Sequence, residues 1–166
     1  GLYGKPTLVN NVETLCNIPR ILHKGAGWFT QIGTEKCPGT MMFSLSGSVN
    51  RPGVYEMPMG VTIREMVEEC GGGVPGGRKI KAVFPGGPAF PMVTADQLDL
   101  TMDFDSLKKA GTGLGSAGMI IVDDATCMVA KTLHFSNFFK NESCGQCPPC
   151  RMGTNNLAIL MTKIES

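Results

Sequence analysis

Downstream of Gly39 the apolar positions follow two alternating periods. Phe43, Leu45 and Val49 are interleaved with Ser44, Ser46 and Ser48, the repeat of two that puts one face of a strand inside and the other in water. Asn50-Arg51-Pro52-Gly53 supplies turn chemistry, and Val54-Tyr55-Glu56-Met57 reads as the hairpin partner. The period then changes. Ile63, Met66, Val67 and Cys70 recur at helical spacing behind a Thr62-Ile63-Arg64-Glu65 capping box, with Gly71 at the C-cap position. Ile80–Phe84 reads as another strand, ended by Pro85-Gly86-Gly87, and Ala89–Val93 as one more.

The flanks are helical. Residues Gly1–Gly33 combine a polar loop with a short helix, for which Asn10 is the N-cap and Glu13 nearly completes a capping box ahead of Val12, Leu15, Cys16 and Ile18. Pro19 either ends or kinks that helix or opens a second at its first position. Ile21, Leu22 and Trp28 are its further apolar anchors, and the segment is too small to fold alone. Asp103–Leu107 is expected to form a helical turn and Met119–Val122 a short strand. Asp123 or Asp124 then caps a helix carrying Met128, Val129, Thr132, Leu133, Phe135, Phe138 and Phe139, and a second helix carries Leu157, Leu160, Met161 and Ile164. Two strands, a helix and further strands is the element order of a small β-grasp module. The expected fold class is therefore α+β, a β-grasp domain followed by the start of a helical domain. Its expected boundaries are 1–37, 38–124 and 125–166.

Composition narrows the function classes. A net charge of +1 with no basic block gives no footprint for nucleic acid or an anionic membrane face. No apolar stretch approaches the roughly 20 residues of a membrane span, and no signal-peptide pattern opens the chain. Seven cysteines is an odd number, and three crowd into one short motif, which fits a reducing compartment and a metal site better than a disulfide scaffold.

That motif is Cys144-Gly145-Gln146-Cys147-Pro148-Pro149-Cys150. Its favoured reading is an iron–sulfur site: a [4Fe–4S] cube takes four thiolates, and this spacing lets one turning loop supply three. Zinc would call for paired knuckles or histidine at finger spacing, and His23 and His134 are not so placed. Three cysteines cannot all pair with one another as disulfides. Pro148 and Pro149 have no N–H to offer sulfur, whereas Gly145 and Gln146 do, and such donors raise a cluster's potential. The fourth ligand is either one of the upstream cysteines or lies beyond Ser166. Cys127 is a poor choice, roughly 25 Å upstream along a straight helix. Cys16 and Cys70 read as core residues and Cys37 as a loop residue without a partner. Gly113-x-Gly115-x-x-Gly118 matches a dinucleotide fingerprint by letter, but no clear strand precedes it and a strand follows, so turn glycines are the better explanation. His134 reads as a packed or surface histidine, and no Ser/His/Asp or Cys/His nucleophile arrangement is evident.

Four blocks carry a family resemblance in order: Gly4-Lys5-Pro6-Thr7-Leu8-Val9-Asn10-Asn11-Val12-Glu13-Thr14-Leu15, Leu45-Ser46-Gly47, Pro52-Gly53-Val54-Tyr55-Glu56 and Glu142-Ser143-Cys144-Gly145-Gln146-Cys147-Pro148-Pro149-Cys150-Arg151. Across essentially the whole chain it resembles the family of NADH-binding flavoprotein (F) subunits of complex I, shared with diaphorase subunits of NAD-linked hydrogenases and formate dehydrogenases. The resemblance implies that residues 1–37 end an FMN- and NADH-binding domain, that 38–124 form an SLBB-like β-grasp module, and that 125–166 begin a helical [4Fe–4S] domain. It implies FMN contacts at Val9, Asn10, Asn11 and Thr14, cluster ligands at Cys144, Cys147 and Cys150, and a fourth ligand past the chain's end, which counts against Cys127. No catalytic residue is implied here, and the NAD site would lie mainly in a preceding domain. The implied activity is NADH oxidation through FMN to the cluster and on toward quinone, for which this chain alone would be inactive. The partners implied are a [2Fe–2S] subunit and a large iron–sulfur subunit, in a cytoplasmic or membrane-peripheral complex on the cytoplasmic (matrix) side. One departure stands out: the family commonly carries Glu where this chain has Met152.

Overall fold

The computed structural model describes residues 1–166. Strands β1 (Thr40–Gly47) and β2 (Gly53–Pro58) form the expected antiparallel hairpin, with Phe43 opposite Tyr55. Strand β5 (Gly118–Asp123) lies parallel to β1, with Leu45 opposite Met119. Strand β3 (Ile80–Phe84) runs antiparallel to β5, and the short β4 (Val93–Thr94) closes the edge on β3. The sheet order is β2-β1-β5-β3-β4. Parallel neighbours such as β1 and β5 need a crossover between them. That crossover contains a helix (α3, Ile63–Glu65, continuing as a π-helical turn Met66–Cys70) laid across one sheet face.

The core is one apolar cluster. Phe43 and Leu45 of β1, Val83 of β3, and Met119 and Ile121 of β5 meet Ile63, Met66 and Val67 of the helix, all at most 2 % exposed. Ser44 and Ser46 point the other way and remain exposed, so the two-residue period held along β1. Val49 lies past the strand's end and still packs into the cluster. The Thr62/Glu65 capping box is formed in both directions, and those bonds to the Glu65 carboxylate hold its pKa below the usual range. Gly71 has an ordinary φ of −72°. Its glycine requirement is spatial, because a Cβ would sit 2.7 Å from the Val67 carbonyl and 2.9 Å from Leu45 Cδ2. The left-handed conformations expected at a helix end fall instead on Gly72 and Gly73.

Several local expectations are corrected. The first helix, α1 (Val12–Lys24), is capped by Asn11, whose side chain accepts from the N–H groups of Glu13 (2.8 Å) and Thr14 (3.3 Å). Asn10 sits one position too early and accepts from the Asn11 N–H. Glu13 reaches across to the Met42 N–H (2.8 Å), beyond the part of β1 that pairs with β5, and closes no box. Pro19 lies inside α1 and does not end it; its missing N–H costs that helix one backbone bond. A short α2 (Ala26–Phe29) follows. The Ala89–Val93 strand shrinks to β4. Helix α4 (Phe104–Lys109) forms as expected. Neither Asp123 nor Asp124 caps the next helix, α5 (Met128–Glu142), whose N-cap is Cys127. Asp123 is instead buried and accepts from the Thr126 hydroxyl and from Arg78 Nη1 (2.8 Å), which together lower its pKa.

Asp103, 6 % exposed, caps α4 by accepting from the Ser106 N–H and hydroxyl and the Thr101 hydroxyl. Burial alone would raise its pKa, but the hydrogen bonds outweigh burial and the net shift is downward. A carboxylate with a lowered folded pKa contributes stability that is present above its unfolded pKa of about 3.9 and lost as pH falls through the folded value. Asp103→Asn should therefore be less stable than the parent at neutral pH, with the gap narrowing below about pH 4. Denaturant unfolding across pH checks this; a gap that stays constant into acid would contradict it.

A cysteine loop between two helices

Helix α5 and helix α6 (Pro148–Glu165) pack against one another, joined by the short turn that holds the three-cysteine motif. The hairpin is fixed to the β-grasp domain by aromatic packing. Phe84 at the end of β3 meets Phe135 of α5 edge-on, with ring centroids 5.0 Å apart. Ser136 and Ala158 are buried in the hairpin. A cavity of about 440 Å³ remains in this seam, lined by Phe84, Phe90, Met92, Phe135, Phe139 and Met161 among others. The ring of Phe90 also accounts for two of the three dinucleotide-like glycines. A Cβ on Gly113 or Gly115 would lie 2.4 Å or 2.7 Å from that ring, so those glycines make room for an aromatic side chain, as turn glycines should.

The turn folds as its residues dictate. Helix α5 ends at Ser143, whose N–H still reaches the Phe139 carbonyl (3.1 Å) while its own backbone is extended. Gly145 takes a φ of +71°, the left-handed conformation glycine adopts without steric cost. Its N–H, expected from the sequence to be free for sulfur, donates to the Ser143 hydroxyl oxygen at 3.2 Å. Cys147 is the N-cap of α6, and Pro148 and Pro149 occupy the first helical positions, where an N–H has no helical partner anyway. The three thiols thus stand in the turn, at the helix cap and in the first helical turn. All three are exposed, and none is in a disulfide. The Cys150 sulfur lies 3.5 Å from the Ser143 hydroxyl.

The structure brings the three cysteines to one turn but does not gather their side chains into closed metal-binding geometry. The donor set suits an iron–sulfur cluster: soft, unpaired and accessible sulfur with no nitrogen or carboxylate ligand in the motif. The remaining cysteines do not supply a fourth ligand at this turn. Cys70 packs against the β-grasp core as expected, and so does Cys37, for which the sequence suggests no partner. Cys16 is exposed, contrary to its expected place in a core, and borders a cleft of about 470 Å³ with Arg20, Trp28 and Glu56. Cys127 caps the opposite end of α5, about 22 Å away by helix length. Met152 is 60 % exposed. His134 is exposed on α5 beside Phe135.

Val9, Asn10, Asn11 and Thr14 lie together where α1 starts, all exposed. Leu2, Tyr3, Leu8, Val12 and Leu22 of this N-terminal segment are also largely exposed. Two residues that organise these regions do not stand out in the sequence. Glu13 ties the start of α1 to β1, and Ser143 bridges Gly145 and Cys150. The only signal for Ser143 is its place immediately before the motif.

Comparison with known proteins agrees with this layout. Residues 42–93 match the SLBB domain model, and residues 130–166 match the model of the NADH-ubiquinone oxidoreductase-F iron-sulfur binding region. Fold and turn together define a β-grasp SLBB domain joined to an iron–sulfur binding region. The whole chain is 49% identical to the NADH-quinone oxidoreductase F subunit 2 of Rhizobium meliloti (strain 1021) and covers 39% of that protein. It is 43% identical to the corresponding F subunit of Mycobacterium bovis (strain ATCC BAA-935 / AF2122/97), again along its whole length, and covers 37% of it. A solved NAD+-reducing [NiFe]-hydrogenase in the air-oxidized state superposes with a TM-score of 0.83 at 35% identity, over 99% of this chain and 28% of the other. The chain spans about two fifths of the length of these curated relatives.

The left-handed Gly145 gives the turn a specific weakness. Gly145→Ala should strain it by about 1–2 kcal/mol and lower the iron and sulfide retained per chain after anaerobic reconstitution. Retention equal to the parent's would contradict the conformational requirement.

Proposed function

We propose that the chain is the electron-exit part of an NADH dehydrogenase flavoprotein subunit. In this reading electrons from NADH pass by way of FMN to a [4Fe–4S] cluster, and from there to partner iron–sulfur subunits and quinone. Cys144, Cys147 and Cys150 would hold three irons, with the fourth ligand supplied outside this chain. One observation carries the reading: three unpaired, exposed thiols share one turn inside the segment that matches the iron-sulfur binding region. When bound, the flavin would divide the electron pair of a hydride and the cluster would carry single electrons onward.

The residues of this chain then have definable tasks. The turn and the first turn of α6 present the sulfurs, and Lys140, Glu142 and Arg151 are the charged residues that flank the motif. Val9, Asn10, Asn11 and Thr14 would contact FMN; their common exposure at the start of α1 supports this, with Asn11 already committed to capping the helix. The preceding NAD-binding domain would cover the apolar surface around α1. No catalytic residue is assigned in this chain. We divide it into the end of the flavin domain (1–37), the SLBB domain (38–124) and the cluster domain (125–166). A [2Fe–2S] subunit and a large iron–sulfur subunit are the partners proposed. No helix is long and apolar enough to cross a membrane, which is compatible with a peripheral place in such a complex. A second reading, a diaphorase subunit of an NAD-linked hydrogenase, is favoured by the superposition on the NAD+-reducing hydrogenase. It uses the same residues.

In the holoprotein, Cys147→Ser should abolish or severely reduce the cluster's paramagnetic signal and its iron and sulfide content while FMN stays bound. A full complement of iron with normal reduction of the cluster would remove Cys147 from the ligand set.

A further inference from the structure

Ser143 is the one side chain that hydrogen-bonds a thiol of the motif. Its hydroxyl oxygen lies 3.5 Å from Cys150 Sγ, within hydrogen-bond range for sulfur. The same oxygen accepts the Gly145 N–H at 3.2 Å. With an oxygen lone pair occupied by that N–H, the hydroxyl proton is free to turn toward the sulfur. In the free thiol either partner can donate, but a metal-bound thiolate has no proton and can only accept. Ligation therefore fixes the direction of the bond: the Ser143 O–H donates and the Cys150 sulfur accepts.

From this geometry we infer that Ser143 is a positioning residue that donates a hydrogen bond to the Cys150 thiolate and raises the reduction potential of the cluster it helps hold. The inference rests on the proposed cluster site. Adding an electron to the cluster increases negative charge on its sulfur ligands, so the hydrogen bond is stronger in the reduced state and favours it. Backbone geometry supports the role. The C-cap position of α5 and the left-handed Gly145 hold the hydroxyl over the start of α6, where Cys150 occupies the first turn. Pro148 and Pro149 cannot donate, the Gly145 N–H is spent on Ser143, and the Gln146 N–H makes no hydrogen bond to a sulfur, so the Ser143 hydroxyl is the polar group that reaches one.

Redox titration of the cluster in the holoprotein, followed by paramagnetic resonance and paired with iron and sulfide analysis, tests this. Ser143→Thr and Ser143→Val form a near-isosteric pair that differs in the hydroxyl. The Thr variant should keep the parent's midpoint potential, and the Val variant should load its cluster and titrate at a distinctly more negative potential. Ser143→Ala should shift the same way as Val. Equal potentials in Thr and Val, or failure of both hydroxyl-free variants to load iron, would overturn the inference and leave Ser143 a builder of the turn only. The parent protein distinguishes the cluster from the role of Ser143. A parent without iron defeats the cluster reading itself, whereas a loaded parent with unmoved variants defeats only the role of Ser143.

Discussion

The parallel pairing of β1 with β5 is the constraint on which the rest of the molecule depends. Two parallel neighbours cannot be joined by a tight turn, so the chain between them must leave the sheet and return. It uses that excursion to place α3, β3 and β4 and to close the core over Phe43, Leu45, Met119 and Ile121. The same pairing fixes where β5 ends. There Asp123 is tied to Arg78 and Thr126, the Thr126 carbonyl accepts from Lys81, and the Asp124 N–H reaches the Lys79 carbonyl. The exit from β5 is thereby fastened to β3 from two sides. Helix α5 leaves from this point and passes Phe84, where the edge-on contact with Phe135 sets its course. The cysteine turn stands at the far end of that helix. Its position is thus inherited from sheet register through one strand exit and one aromatic contact.

The turn itself combines two demands that usually conflict. Its sulfurs have to be accessible, and its backbone has to be rigid enough to offer them at fixed spacing. Accessibility comes from placing all three cysteines outside the hydrophobic seam. Rigidity comes from the cap of α5, the left-handed Gly145, the hydroxyl of Ser143 and two prolines that preset the first turn of α6. None of these devices uses a buried charge. The N-terminal segment shows the opposite arrangement, with α1 held to β1 through Glu13 and its remaining apolar residues uncovered.

Most of the β-grasp domain was legible because its signals are local and agree with one another. The alternation in β1, the turn at Asn50–Gly53 and the Thr62/Glu65 box each point to the same element. Where reading failed, two neighbouring residues offered the same chemistry and tertiary contacts chose between them. Asn10 and Asn11 are equal caps on paper, and the pull of Glu13 toward Met42 accompanies the choice of the second. Asp123 looked like a cap, but Arg78, forty-five positions upstream, claims its carboxylate. Cys16 looked like core because it lies on an apolar helix face, yet it stays exposed at the border of the cleft it shares with Trp28 and Glu56. For the site, the cysteine spacing was readable in full. The part played by Ser143 was not, because it depends on the φ of Gly145 and on which atom that residue's N–H meets.

Everything proposed for this chain turns on whether the loop between α5 and α6 carries a cluster that accepts electrons originating from NADH. An anaerobic NADH titration of the holoprotein, with flavin absorbance and the cluster's paramagnetic resonance followed together, tests it most directly. Bleaching of the flavin accompanied by the signal of a reduced [4Fe–4S] cluster is the predicted result. A protein in which neither responds, and whose metal proves to be zinc, would contradict it.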